Sequence, residues 1–244
     1  MNNRFLTITP LIACSSLFIA GCSDNNSSFE TPNTSSTPTN AGIVSQNNFT
    51  ILAADLEPAI FADPAKNTFT FTQMTITVRV GDRENQILTD AHTVLFKTEW
   101  GLIDPSCVTE SGSCTVTWQT SSGDTAPADH KNTILAYTLG EESFTDVNGN
   151  AIFDDGDNAN PAFDDLEEPF VDSNRNRIYD NGEPIADVIN GNDQTGINGV
   201  HDIGDTFFNG QDCTHSSLCS TIQKNIYVWD DVQLSMDGPP PAAP

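Results

Sequence analysis

Basic residues are scarce in this chain: nine Lys and Arg stand against 34 Asp and Glu, giving a formal net charge of -25. A field of that sign repels nucleic acid and anionic membrane surfaces and attracts cations. Catalytic signatures are missing too. The four histidines, His92, His130, His201 and His215, sit in no nucleophile or metalloprotease motif, with neither Gly-x-Ser-x-Gly nor His-Glu-x-x-His present. Acidic pairs permit glycoside-hydrolase chemistry in principle. That chemistry needs two carboxylates held in a cleft with sugar platforms, however, and the chain has three Trp and a loop-like acidic stretch. A carboxylate-dependent hydrolase is therefore a minor alternative, and no enzyme is expected. No window of helical length carries a 3.6-residue apolar period. The apolar stretch from Leu11 to Ala20 is too short to cross a bilayer as a mature helix.

What the chain has in excess is acid in one place. Eighteen carboxylates fall between residues 141 and 212, against only Arg175 and Arg177. A generally salt-adapted surface would disperse them, and it remains an explanation for part of the excess. Within this run a twelve-residue pattern occurs twice, from Asp146 to Asp157 and from Asp172 to Glu183. An EF-hand-type loop takes oxygens from positions 1, 3, 5, 7, 9 and 12, with position 7 giving its carbonyl. Here those positions are Asp146, Asn148, Asn150, Ile152, Asp154 and Asp157, then Asp172, Asn174, Asn176, Ile178, Asp180 and Glu183. Calcium is the expected cofactor, because magnesium keeps its waters and demands a stricter octahedron. Plain Asx-rich turns are the other reading of the same residues.

The loops depart from the EF-hand in two respects. Position 6, normally Gly, is Ala151 or Arg177, and Pro161, Pro169 and Pro184 oppose flanking helices. Weak sites follow, with dissociation constants of about 10⁻⁴ to 10⁻³ M. A degraded third copy at 194–205 retains Asn198, Asp202 and Asp205. It reads either as a half-site completed by Asp187 or Asp193, or as a loop. So polar a segment is not expected to fold on apolar burial alone, which makes bound cations its expected source of order.

At the N-terminus, Arg4 precedes the apolar stretch, which ends in Ile19-Ala20-Gly21-Cys22. This resembles the lipobox of bacterial lipoproteins. The resemblance implies a signal peptide over 1–21, a lipid on Cys22 and attachment to a membrane through it. Ser23 stands where an Asp would imply inner-membrane retention, so the outer membrane is implied. Residues 22–47 are rich in Ser, Thr, Asn and Pro and form the expected disordered tether, with a span of roughly 25 to 30 Å. Cys14 leaves with the signal peptide. Cys107, Cys114, Cys213 and Cys219 remain, an even set for an oxidising compartment, and two local disulfides are the simplest pairing. Zinc held by Cys213, His215 and Cys219, with His201 as a fourth candidate ligand, is the rival.

Between tether and tail the signals are those of strands. Met74 to Val80 alternates strictly, and Thr93–Thr98, Cys114–Trp118 and Asn132–Tyr137 follow between Asp, Gly, Ser and Pro clusters. Phe49–Ala53 and Ile226–Leu234 complete the set. An all-β immunoglobulin-like sandwich over 48–236 is expected, with Phe96, Val116 and Trp118 in its core and the acidic stretch 141–212 as an insertion. A Pro-rich tail over 237–244 closes the chain.

Met74–Val80, Val94–Asp104 and Thr133–Asp146 resemble the immunoglobulin-like repeats of bacterial surface proteins of the invasin and intimin-like group. The resemblance implies a non-catalytic extracytoplasmic module acting as spacer or adhesin, with an unidentified protein or cell-surface partner. This chain has one such repeat, so a long stalk is not expected. The alternative is a periplasm-facing accessory subunit of a secretion or pilus assembly.

Overall fold

Period-two alternation builds the framework. The computed structural model describes residues 42–61, 69–122, 125–190 and 196–238. Its strands are β1 (Phe49–Ala53), β2 (Gln73–Val80), β3 (Thr93–Thr98), β4 (Leu102–Ile103), β5 (Ser106–Val108), β6 (Ser113–Gln119), β7 (Lys131–Gly140) and β8 (Ile226–Ser235). They form two four-stranded antiparallel sheets, ordered β1-β2-β6-β4 and β5-β3-β7-β8. Among the described residues there is no α-helix, only a 3₁₀ turn at Gln46–Asn48.

In β2, Met74, Ile76, Val78 and Val80 are buried, and the register sets Met74 opposite Trp118 and Ile76 opposite Val116 of β6. These side chains meet Val94 and Phe96 of β3, Ile134 and Ala136 of β7, and Val228 and Leu234 of β8 in a single apolar cluster. Phe96, Val116 and Trp118 are core residues, as the alternation implies. Trp100 and Ile60 join them from outside the strands. The buried Asn132 amide pins that corner by accepting the Trp100 N–H at 2.8 Å, while Trp118 Nε1 donates to the Trp100 carbonyl at 2.9 Å.

The packed chain begins before the expected boundary at residue 48. Val44 and Ser45 are buried, Ser45 bridges Glu141, and the Gln46 amide exchanges hydrogen bonds of 2.9 and 3.0 Å with the backbone of Trp229. Gly140 permits this approach, since a Cβ there would lie 2.3 Å from the Val44 carbonyl. The signal segment 1–21, Cys22, the tether as far as Ala41 and the tail from Pro239 lie outside the described residues.

Strand β7 is buried on both faces from Asn132 to Thr138. One face looks into the sandwich; the other, Leu135 and Tyr137, is covered by Val171, Ala186 and Val188 from the long connection between β7 and β8. That connection folds back over the sheet.

Candidate functional site

The two twelve-residue loops have one hydrogen-bond register. In the first, Asp146 accepts the N–H groups of Gly149, Asn150 and Ala151 at 2.7 to 3.2 Å. Asn148 accepts from Asn150, and Asn150 from Ile152. Asp157 closes the loop by accepting the N–H of Val147 at 2.8 Å and of Asp154 at 3.0 Å. In the second, Asp172 accepts from Arg175, Asn176 and Arg177, Asn174 from Asn176, and Asn176 from Ile178. Glu183 accepts from Ser173 at 2.8 Å and Asp180 at 2.9 Å. In each loop the two Asn amides converge on the position-9 carboxylate. Asn148 and Asn150 reach Asp154 at 3.1 and 2.8 Å, and Asn174 and Asn176 reach Asp180 at 2.6 and 2.7 Å.

Position 6 keeps the left-handed turn despite lacking Gly. Ala151 has φ 61° and Arg177 φ 62°. This conformation costs an L-residue about 1 kcal/mol or more and persists only where its surroundings impose it. The imposing contacts are the position-1 carboxylates, each accepting the N–H of its position-6 residue.

Position 8 is aromatic in both loops and faces inward. Phe153, fully buried, packs with Phe144, Phe163 and Phe208 at ring centroid distances of 4.8 to 5.6 Å. Tyr179 stacks on His201 at 4.0 Å, with Phe170 and then Trp229 beside them. The insertion therefore owns two small aromatic cores, which add apolar burial to whatever else orders it. Sequence reading missed them because Phe144, Phe163 and Phe208 follow no period. Their contacts with Phe208 join residues 45 to 64 positions apart.

A second repeat lies around the first. Glu142-x-Phe144-x-Asp146 recurs as Glu168-x-Phe170-x-Asp172. Both glutamates are buried, and both perform the closing job of position 12 for a discontinuous loop. Glu168 accepts the N–H of Val188 at 2.6 Å and of Asp202 at 3.2 Å. Beside it Asp187 accepts from Asn198 and Gly199, and Asn198 accepts from Val200 and donates to Asp202. The stretch read as a degraded third copy thus has Asp187, seven residues before it, in the place of position 1. Asp193 lies outside the described residues. Glu142 does the same for Leu166 at 2.8 Å and Asn209 at 2.7 Å. Asp165 accepts from Thr206, and Asp205 accepts from Phe207. The visible signal was a Glu four residues before each position-1 Asp. Its meaning needed the return segments 198–202 and 205–209.

Two arginines fasten this assembly to the sandwich. Arg83, in the β2–β3 connection, forms a bidentate pair with the fully buried Glu141 and donates to the carbonyls of Ala151 and Gln211, both at 3.1 Å. Its guanidinium stands 5.2 Å from the Phe144 ring centroid. Arg175, at position 4 of the second loop, pairs with Glu99 at 3.1 Å and Asp129 at 2.7 Å.

Carboxylate crowding sets the electrostatics. Burial pushes the Glu142 carboxyl up to about 8, helped by the charges of Asp165 and Asp205 and opposed by the N–H groups of Asn209 and Leu166. Burial also raises Glu168, with Asp202 and Asp187 acting in the same sense, and Asp165, beside Asp205. Asp154 is half-buried by accessible area and moves the other way, held down first by the Asn150 amide and then by the Gly156 N–H. Such a set of oxygens favours a hard divalent cation over a proton only when the carboxyls ionise.

Among the described residues no group of three or more His, Cys, Asp or Glu side chains gathers as a metal-holding cluster. The carboxylates of the loops are tied instead to loop N–H groups and Asn amides. The rival zinc reading fails on its thiols, because Cys213–Cys219 and Cys107–Cys114 are disulfides. His215 instead stacks on Phe153 at 5.2 Å.

No protein-family model, curated protein or solved structure matches this chain.

Proposed function

We propose that this chain is a non-catalytic interaction module: a lipid-anchored outer-membrane protein whose immunoglobulin-like sandwich carries a calcium-ordered insertion. The observation that carries the calcium reading is the identical hydrogen-bond register of Asp146–Asp157 and Asp172–Glu183, including a left-handed position 6 without Gly. The residues fit the ion. Each loop carries carboxylate, carboxamide and carbonyl oxygens at the ligand positions, with its two Asn side chains donating through Nδ2 to Asp154 or Asp180. Asp146, Asn148, Asn150, the Ile152 carbonyl, Asp154 and Asp157 would hold one ion. Asp172, Asn174, Asn176, the Ile178 carbonyl, Asp180 and Glu183 would hold another. A bound divalent ion would draw the loop oxygens together and stiffen the segment.

The immunoglobulin-like assignment is supported by the partition of β1, β2 and β6 into one sheet and β3, β7 and β8 into the other, the arrangement of A-B-E against C-F-G. Interaction is supported by apolar side chains left exposed on the insertion: Ile178, Ile197, Val200 and Ile203. Lipid anchoring rests on the sequence before Cys22.

Calcium titration by calorimetry and thermal melting tests the reading, comparing the wild type with Asp172→Ala combined with Asp180→Ala. At calcium tenfold above the dissociation constant, each filled site raises stability by about 1.4 kcal/mol. The double variant loses the share of one loop. A wild-type melt unmoved by millimolar calcium overturns the proposal.

A further inference from the structure

Asn-Gly is a dipeptide prone to lose its side-chain amide, because the glycine nitrogen can close on the preceding Cγ without a Cβ in the way. The chain carries five such pairs, at Asn148, Asn181, Asn190, Asn198 and Asn209, all of them in the insertion. Gly191, the partner of Asn190, lies outside the described residues. The other four pairs can be compared within one fold.

Three of them are locked. Asn148 donates to Asp154 at 3.1 Å and accepts the Asn150 N–H at 3.0 Å, while the Gly149 N–H goes to Asp146 at 2.7 Å. Asn198 donates to Asp202 at 3.1 Å and accepts the Val200 N–H at 2.6 Å, while the Gly199 N–H goes to Asp187 at 3.1 Å. Ring closure at either place breaks three hydrogen bonds. Asn209 is fully buried, with its amide on Asp205 and the Gln223 carbonyl, so the water that must finish the reaction is kept out. Asn181 and Gly182 are different. Both are exposed, and among the described residues no hydrogen bond holds the Asn181 amide or the Gly182 N–H. Nothing stands within 4 Å of a Cβ built on Gly182, whose φ is 109°. One backbone bond, from the Glu183 N–H to the Asp180 carbonyl at 3.0 Å, closes their turn.

We infer that Asn181 is a site of spontaneous deamidation in the folded protein. The Gly182 backbone nitrogen forms a bond to Asn181 Cγ, the Cγ–Nδ2 bond breaks, and ammonia leaves carrying the Gly182 proton. A cyclic imide remains. Water opens it at either carbonyl, giving an aspartyl or an isoaspartyl residue at position 181, with no oxidant, reductant or enzyme involved. The aspartyl product places a carboxylate where the first loop already has one, Asp155, which accepts the Ser216 N–H at 2.8 Å. The isoaspartyl product routes the main chain through the former side chain and lengthens the turn by a methylene. That displaces Glu183, whose carboxylate closes the second loop on Ser173 and Asp180. The reaction does not depend on whether an ion fills the loop.

The test needs no variant. The wild-type chain is aged in warm, mildly alkaline buffer with EDTA, in parallel with the same chain unfolded in urea, and tandem mass spectrometry of digests follows the amide at each Asn-Gly pair. Three hydrogen bonds of ordinary strength slow ring closure about a hundredfold, so in the folded chain Asn181 is expected to lose its amide about a hundredfold faster than Asn148 or Asn198. In urea the three rates are expected to converge. A folded-state ratio under about tenfold, the worth of a single bond, overturns the inference. A ratio that persists undiminished in urea overturns it too, since neighbouring residues and not the fold would then set the rate.

Discussion

Arg83 and Glu141 form a buried bidentate ion pair across 58 residues of sequence, with the Glu141 carboxylate fully excluded from solvent. The same guanidinium holds the carbonyls of Ala151 and Gln211, so one side chain links the sandwich, the first acidic loop and the return segment. Removing one partner of a buried pair strands the other's charge and costs about 3 to 5 kcal/mol. Arg83→Met is expected to lower stability by that amount in urea unfolding. Arg83→Lys is expected to recover little, since an ammonium cannot reach the carboxylate and two carbonyls together. Near-wild-type stability of Arg83→Met would remove this residue from the account of how the insertion docks.

Position 6 offers a gain instead of a loss. Ala151 sits at φ 61° with its N–H fixed to Asp146. Ala151→Gly is expected to stabilise the fold by about 1 kcal/mol, because Gly occupies this region without a Cβ penalty. In a chain of this length that corresponds to a rise in melting temperature of about 2 to 4 °C. The measurement is made both with and without calcium, since the proposed ion would hold the same turn. A fall in melting temperature would mean that Ala151 contributes packing the φ argument ignores.

The difference between what sequence reading finds in the sandwich and in the insertion has a physical cause. In β2, burial alternates residue by residue, so Met74, Ile76, Val78 and Val80 declare their face without reference to any other segment. β4 and β5 are two and three residues long, too short for a period to be recognised. The contiguous loops were legible because a loop closing on itself keeps its spacing in sequence. Glu142 and Glu168 close loops whose other members lie up to 67 residues away, so their role depends on contacts that no spacing encodes. The covering of Leu135 and Tyr137 by the insertion was hidden for the same reason.

The Cys213–Cys219 disulfide bears on the first aromatic core through the backbone. Phe153 pairs with Cys213 and Phe208 with Cys219 in isolated bridges. Closing so short a loop restricts the unfolded chain by about 2 kcal/mol. Replacing both cysteines with Ser is expected to cost that much in thermal unfolding. It is also expected to weaken calcium binding, because Phe153 and Phe208 lose the strap that sets their distance. Lowered stability with unchanged calcium affinity would limit the disulfide to a structural staple.

Calcium should reverse the pH dependence of stability. In metal-free protein the Glu142 carboxyl is raised to about 8 by burial and by Asp165 and Asp205, and burial raises Glu168 and Asp165 in the same direction. A carboxyl with a raised folded-state pKa favours the protonated fold. Its stabilising contribution is complete below the ordinary carboxylate range and is lost as pH climbs through the folded value. In EDTA the melting temperature is therefore expected to fall between pH 5 and pH 8, and Glu142→Gln, which stays neutral throughout, is expected to flatten the profile. Asp154 and the exposed Asp155 move oppositely, but solvent reaches and screens both. In saturating calcium the slope changes sign, since the ion binds ionised carboxylates and protons compete with it. Melts at five pH values in EDTA and in calcium decide the matter: two parallel profiles would mean that proton and cation do not compete for the same oxygens.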